Sequence, residues 1–191
     1  MSHSSASQRS FAATPINDGA ASLIDFNCEV IDQAISLLAL YDAHNPAAFT
    51  GPAGAHLRHI IEHYDALLSP PTAGVVDYDL RVRDRELERD IALVRRRLQA
   101  LSKRLAEDAT PPETLLQVRG QGGLAGDFDF VISSSFGREL VFVASHALHH
   151  YALMRPYCKA AGISVSCDFG KAPSTVAHER TTTANTEPPI T

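Results

Sequence analysis

The fold is indicated most directly by two histidine-rich stretches, AHLRHIIEHY at residues 55–64 and SHALHHY at residues 145–151. Together they contain six of the nine histidines in the chain. In both stretches the apolar residues recur at helical spacing, and the imidazoles lie beside an otherwise apolar face. Histidine is the commonest metal ligand in proteins. The two stretches therefore predict two helices with a metal site between them.

Spacing alone indicates two of the ligands. His146 and His150 are four residues apart, and residues at this separation lie side by side on a helix. One histidine from the other helix would complete a site with three nitrogens. The apolar face of that helix slightly favours His56 or His63, whereas His59 lies farther toward the polar side. The pattern leaves the third ligand open among these residues.

The alternative interpretation is that these histidines are structural, as an isolated histidine on a helix usually is. Six histidines in two helices favour the metal, because the core of a small helical protein has little reason to bury several titratable rings. A buried neutral imidazole must be hydrogen-bonded. A metal ion would satisfy one nitrogen on each of its ligands.

The remaining pattern predicts an all-α fold, a four-helix bundle with a short β-hairpin between helices 3 and 4. The first helix is expected at about 20–44 and the second at about 54–68. The third is indicated by apolar residues that alternate four and three apart, which is typical of a bundle seam, at Leu87, Ile91, Val94, Leu98, Leu101 and Leu105. The hairpin is expected around the glycine-rich residues 120–123, and the fourth helix ends near Ala161, where Gly162 supplies a left-handed stop.

Composition predicts one domain over residues 18–175, between a disordered leader at 1–17 and a disordered tail at 176–191. The formal charge of -5 argues against a nucleic-acid partner. No apolar run approaches the ~18 residues of a membrane span, so no membrane partner is expected. The three cysteines, Cys28, Cys158 and Cys167, have no disulfide-framework spacing. A reduced, cytoplasmic location fits them best.

The two histidine motifs also resemble a known family. The stretch SHALHHYAL at 145–153 is similar to the signature of the DinB-like (DNA-damage-inducible) four-helix metal proteins. In that signature a histidine is followed by three residues and then by a second histidine, which belongs to a His-His pair. The stretch GAHLRH at 54–59 resembles the other motif of that family. It is also similar to the N-terminal bundle of ergothioneine-forming iron enzymes, in which the second histidine of a His-Leu-x-His run is the ligand. The resemblance covers residues 20–175.

The resemblance implies that His59 is the third ligand, together with His146 and His150. It also implies a divalent ion with an open coordination position, and zinc, nickel and iron all accept imidazole ligands. Activities known in the wider superfamily are thiol-dependent transfers and isomerisations, so we expect a low-molecular-weight thiol or a small electrophile as partner, and a homodimer. His63 or His149 would then shuttle protons. The alternative is a stress-linked metal or small-ligand binder without turnover.

Three further segments are expected to lie near the site. Residues 77–83 carry mixed charges and are interpreted as the acidic start of helix 3 more readily than as substrate-binding residues. Arg138 and Glu139 are expected to form an ion pair with that segment. Residues 168–175 could fold back over the bundle as a lid, and Cys167 is a candidate thiol ligand or nucleophile, although an unreactive cysteine is the simpler interpretation.

Overall fold

The computed structural model describes residues 16–70 and 72–184. Within this part of the chain are five α-helices, α1 (Ile16–His44), α2 (Pro52–Leu68), α3 (Ile91–Glu107), α4 (Phe136–Ala160) and α5 (Pro173–Ala184). There are three strands, β1 (Val75–Asp77), β2 (Leu115–Gly122) and β3 (Phe128–Ser135), and two short 3-10 helices, Pro46–Phe49 and Arg85–Glu88.

The prediction of an all-α four-helix bundle is wrong, because the fold combines helices with a three-stranded mixed sheet in the order β1-β2-β3. The expected hairpin is present, since β2 pairs antiparallel with β3 from Leu115 opposite Ser135 to Gly122 opposite Phe128. The unexpected strand is β1, which pairs parallel with residues 117–119 of β2. Its three residues are too few to produce a recognisable alternation in the sequence.

Local chemistry explains where most helices begin and end. Asn45 precedes Pro46, and α1 stops at His44 because the residue before a proline avoids the helical region. The Asp90 side chain accepts from the Leu93 amide at the start of α3, an N-cap that satisfies a free donor. Gly162, with φ of 76°, follows the end of α4.

The core lies between α1, α2, α3 and α4. The predicted seam of α3 is buried at Ile91, Val94, Leu98, Leu101 and Leu105. Leu87, which was assigned to the same helix, is buried from the preceding 3-10 helix instead. Buried tyrosine hydroxyls have partners: Tyr64 donates to Asn27 at 2.9 Å and Tyr151 donates to the Val30 carbonyl at 3.0 Å.

The segment between β1 and α3 is not the start of a helix, as the sequence suggested, but a loop over residues 78–84 followed by the 3-10 helix. The buried Glu62 of α2 anchors it, accepting from the Asp84 amide at 3.0 Å and from Arg58 at 2.7 Å. Arg58 also donates to Glu88 at 2.7 Å. These contacts attach both the loop and the 3-10 helix to α2.

The C-terminal prediction also needs correction. Regular structure continues beyond residue 175, because α5 extends to Ala184, and residues 185–191 lie outside the described part. At the other end, α1 begins at Ile16 and the expected leader lies mostly outside the described residues. The segment proposed as a lid packs on α4 toward α1, where the Gly170 amide donates to Gln33 and the Phe169 ring stacks on Tyr151.

Among the described residues, no helix combines the length and apolar character that crossing a membrane requires.

Gly54 is expected to be required for the attachment of the 3-10 helix. A Cβ at this position would lie 2.2 Å from the carbonyl oxygen of Glu88 and 2.7 Å from its carbonyl carbon. Because both are main-chain atoms, Gly54→Ala forces α2 and the 3-10 helix apart, and the free energy of unfolding should fall by roughly 1–3 kcal/mol. Urea denaturation measures this change.

Gly19→Ala is the matched control, because Gly19 is also helical and a Cβ there meets nothing within 4 Å. Alanine is the better helix former, so this variant should be as stable as the parent protein or slightly more stable. Equal effects at Gly19 and Gly54 would contradict the packing argument.

Candidate metal centre

The packing of α2 against α4 brings the two histidine stretches together. His56, His59 and His63 project from α2, and His146, His149 and His150 belong to α4. Among the described residues, His59, His146 and His150 are the group that could hold a metal, since one nitrogen from each lies within 4.8 Å of the others. These are the three residues that the motifs had indicated, two by spacing and His59 by resemblance.

The nitrogen spacing fits a single ion. Nε2 of His59 lies 2.9 Å from Nε2 of His146. Two nitrogens bound to one tetrahedral zinc ion are about 3.3 Å apart, given metal–nitrogen distances of about 2.0 Å. The rings therefore need to separate by only a few tenths of an ångström to admit an ion.

His56 supports His150 in a manner that is compatible with metal binding. Nδ1 of His56 lies 2.8 Å from Nδ1 of His150, so one nitrogen carries the shared proton and the other accepts it. If Nδ1 of His150 is the donor, its Nε2 is free for a metal. A metal-bound histidine commonly donates its other N–H to a neighbour in this way, which fixes the tautomer and the ring orientation.

His59 has a different neighbour on its outer side. Nη1 of Arg81, from the 78–84 loop, lies 3.0 Å from Nδ1 of His59 and 3.2 Å from Nε2 of His63. A guanidinium only donates, so both imidazole nitrogens must accept. His59 then carries its proton on Nε2 and donates it to His146. Arg81 Nε is buried and has no hydrogen-bond partner.

His63 is the most buried of these rings, at 5% exposure, and it lies outside the group of three. Its Nδ1 is 2.8 Å from the His59 carbonyl oxygen, which must be the acceptor, so the proton of His63 is on Nδ1. The His63 ring is 4.3 Å from that of His146, centroid to centroid. His63 therefore packs beside the group of three and is held by its own helix.

Tyr78 and Glu139 extend the hydrogen-bonded surroundings. The ring of Tyr78 stacks on His63 at 5.4 Å, and its hydroxyl donates to the buried Glu139 carboxylate at 2.8 Å. Glu139 also accepts from Ser134 and from Arg138. The expected contact between this carboxylate and residues 77–83 exists, but it is a hydrogen bond to a tyrosine, and the ion pair is with the adjacent Arg138.

The other candidate residues lie away from this group. His149 is exposed, with its ring 5.7 Å from that of His150. Cys167 is exposed and contacts Asp168, whereas the buried Cys158 contacts Tyr41. Neither cysteine belongs to the group that could hold a metal.

Arg81 and Tyr78 were not identified as site residues from the sequence. Their segment was weighed as substrate-binding, and its charges favoured the start of a helix instead. The sequence does contain a signal against a helix here, because Tyr78, Leu80 and Val82 alternate with charged residues, a spacing that a helix does not have. That signal does not place Arg81 beside the histidines.

A curated protein named FK506-binding protein 5, from Rhizopus delemar, is 34% identical over 105 residues, which are 54% of this chain and 27% of the relative. Most of that relative therefore lies outside the match, and its name assigns no activity to this chain. No family model and no solved structure matches the chain.

These findings overturn the resemblance to the DinB-like family. The matching relative has a different name, no family model supports the resemblance, and the fold contains a sheet that a pure four-helix bundle lacks. Short histidine motifs on helices arise wherever two helices must present ligands to each other, so they carry little family information. The site must be argued from its own geometry.

The environment of the cluster keeps its imidazoles neutral. Burial lowers the pKa of His59 to about 2, and the neighbouring His63 and Arg81 contribute in the same direction. Burial likewise lowers the pKa of His63, His146 and His150 to about 4. Neutral imidazole is the form that binds metal. The histidines are therefore in a metal-binding state throughout the neutral pH range.

We expect the stability of the metal-free protein to fall as the pH decreases from about 6.5 to about 4. The unfolded chain binds protons on its histidines below the ordinary pKa of 6.5, while folded His63 stays neutral until about 4. Folding is therefore favoured above this window and loses stability within it. Each histidine that the fold keeps neutral contributes at most ~1.4 kcal/mol per pH unit, and the partly exposed rings contribute less than the buried His63.

Urea denaturation at several pH values measures this slope. His63→Gln should reduce the slope, because it removes one displaced proton. His149→Gln, which changes an exposed histidine of the same stretch, should leave the slope unchanged. If the free energy of unfolding has the same pH dependence in the parent protein, His63→Gln and His149→Gln, His63 does not contribute to that dependence.

Proposed function

We propose that the protein binds one divalent transition metal ion through His59, His146 and His150 and uses its open coordination position for a small ligand. The observation that carries this proposal is the convergence of one nitrogen from each of the three residues within 4.8 Å. Three neutral histidines with a free position are typical of catalytic metal sites, whereas closed structural sites use four protein ligands. Zinc, nickel and iron(II) are the candidate ions.

The chemistry supplied by such an ion would be that of a Lewis acid, which lowers the pKa of a bound water or thiol and so provides a nucleophile at neutral pH. The protein itself would orient the ligand histidines. His56 fixes the ring of His150 through the 2.8 Å contact between their Nδ1 atoms, and the hydrogen bond of His63 to the His59 carbonyl holds the next turn of α2.

We propose a low-molecular-weight thiol as the ligand, in a metal-dependent thiol transfer or isomerisation. Soft thiolate ligands suit zinc and the later transition metals, and no cysteine belongs to the described metal-binding group. A thiolate would therefore have to come from a second molecule. The support for this proposal is the chemistry of the three-histidine site.

The alternative is a protein that binds a metal or a small ligand without turnover. It is favoured by the absence, among the described residues that contact the histidines, of a serine or cysteine nucleophile paired with a base. The expected homodimer stays a prediction in both cases. Exposed apolar side chains of β3 and the preceding turn are a candidate surface for such a dimer: Leu124, Phe128, Val131 and Ile132.

Protein purified without a histidine tag should bind about one equivalent of cobalt(II) or zinc(II). His146→Ala should abolish this binding, because it removes one of three ligands. His149→Ala, one turn away on the same helix and exposed, should bind as the parent protein does. Elemental analysis after dialysis measures the stoichiometry, and less than about a tenth of an equivalent after reconstitution would contradict the proposal.

Addition of a small thiol such as 2-mercaptoethanol or glutathione to the cobalt(II) protein should produce a sulfur-to-metal charge-transfer band, because a thiolate enters the open position. The absorption spectrum measures this band, which should be missing from His146→Ala. If cobalt binds but no thiol changes the spectrum and no electrophile is turned over, binding without turnover becomes the better assignment.

A further inference from the structure

We propose that Arg81 is the residue of this site that recognises an anionic ligand, and that metal binding releases it for this role by displacing it from His59. The ligand would be a small organic carboxylate held between the metal and the guanidinium. The inference depends on the metal site proposed above and goes beyond it by specifying the class of ligand.

Arg81 and a metal ion compete for the imidazole of His59. Nη1 of Arg81 donates to Nδ1 of His59 across 3.0 Å. If the metal binds Nε2 of His59, the remaining proton is on Nδ1, which can no longer accept. If the metal binds Nδ1, the lone pair is used directly. In both cases the hydrogen bond from Arg81 to His59 is lost, and of the two imidazole acceptors only Nε2 of His63 remains, at 3.2 Å.

The contrast with His150 shows that this is a particular property of Arg81. The neighbour of His150 is His56, whose Nδ1 can accept a proton from Nδ1 of a metal-bound His150. That neighbour would help to orient a ligand histidine. Arg81 cannot accept a hydrogen bond, and its positive charge also opposes a divalent cation. Its position is therefore unsuited to supporting a metal ligand.

Arg81 has few partners other than His59. Among the ion pairs of the described residues, none includes Arg81, and its buried Nε has no partner. The nearest carboxylates already have partners: Glu62 accepts from Arg58 and from the Asp84 amide, and Asp79 accepts from the Gln121 amide. After losing His59, the guanidinium would keep its contact with Nε2 of His63 at 3.2 Å and the nearby charges of Glu62 and Asp79. It would still have no hydrogen bond to a carboxylate, and its Nε would still lack a partner.

A carboxylate from a ligand would satisfy this group. A guanidinium binds a carboxylate with two parallel hydrogen bonds, which are stronger than bonds between neutral groups. Arg81 is also placed to move. It lies in the 78–84 loop, between the exposed Leu80 and Val82, so its displacement disturbs no buried packing of its neighbours.

The test compares Arg81→Gln with the parent protein and with Arg83→Gln. Arg83 is an exposed arginine two residues along the same loop, and it serves as the matched control. Cobalt(II) affinity is measured first by titration calorimetry. Arg81→Gln should bind cobalt about five-fold more tightly, because the metal no longer has to break the hydrogen bond from Arg81 to His59. Arg83→Gln should be unchanged.

Ligand preference is measured next on the three cobalt-loaded proteins, by absorption titration with 3-mercaptopropionate, 3-mercapto-1-propanol and acetate. The parent protein and Arg83→Gln should prefer the carboxylate thiol to the alcohol about ten-fold, the value of a charge-assisted pair. Arg81→Gln should lose this preference and keep its affinity for the alcohol.

The outcomes separate the two proposals. If the parent protein binds no cobalt, the metal site is wrong and this inference falls with it. If cobalt binds but the parent protein takes up neither carboxylate, or if Arg81→Gln matches the parent in both titrations, the role of Arg81 alone is overturned and the metal site stands.

Discussion

The packing of α2 against α4 partly buries several imidazole rings, and each ring nitrogen that is withdrawn from water needs a hydrogen-bond partner among its neighbours. His59 contacts His146, His56 contacts His150, and His63 donates to a main-chain carbonyl. The nitrogens of opposite helices are therefore drawn close together before any ion is considered. The need for hydrogen bonds and the geometry of a metal site are consequences of the same constraint, the burial of polar rings at a helix–helix interface.

The part of this arrangement that could be predicted from the sequence depends on local chemistry. Pro46 and Gly162 mark helix ends because of their backbone preferences. The helical repeat predicts that His146 and His150 lie side by side, because they are four residues apart. The strand β1 could not be predicted, because three residues become a strand only through a partner about forty residues later in the chain. The position of Arg81 was equally inaccessible, since the path of a loop depends on where Glu62 anchors it.

Two buried carboxylates organise the surroundings of the histidines without contacting the group of three. Glu139 accepts from Tyr78, whose ring lies on His63, and Glu62 accepts from Arg58 and from the loop amide of Asp84. A buried charge is costly unless it is paired and hydrogen-bonded, and both carboxylates meet this condition. The histidine cluster is thus enclosed by residues whose own positions are determined by hydrogen bonds.

The parallel pairing of β1 with β2 connects this loop to the sheet, because Asp79 accepts from the Gln121 amide just beyond the paired residues. The two sides of the hairpin should therefore tolerate changes of chain length very differently. Residues added to the turn at 123–127 would lengthen an exposed bend and leave the strand register intact. One residue added within β2 before Gln121 would shift the register, which turns every later side chain to the opposite face. The loop would then lose its attachment to the sheet through Asp79, although no residue near the histidines had changed.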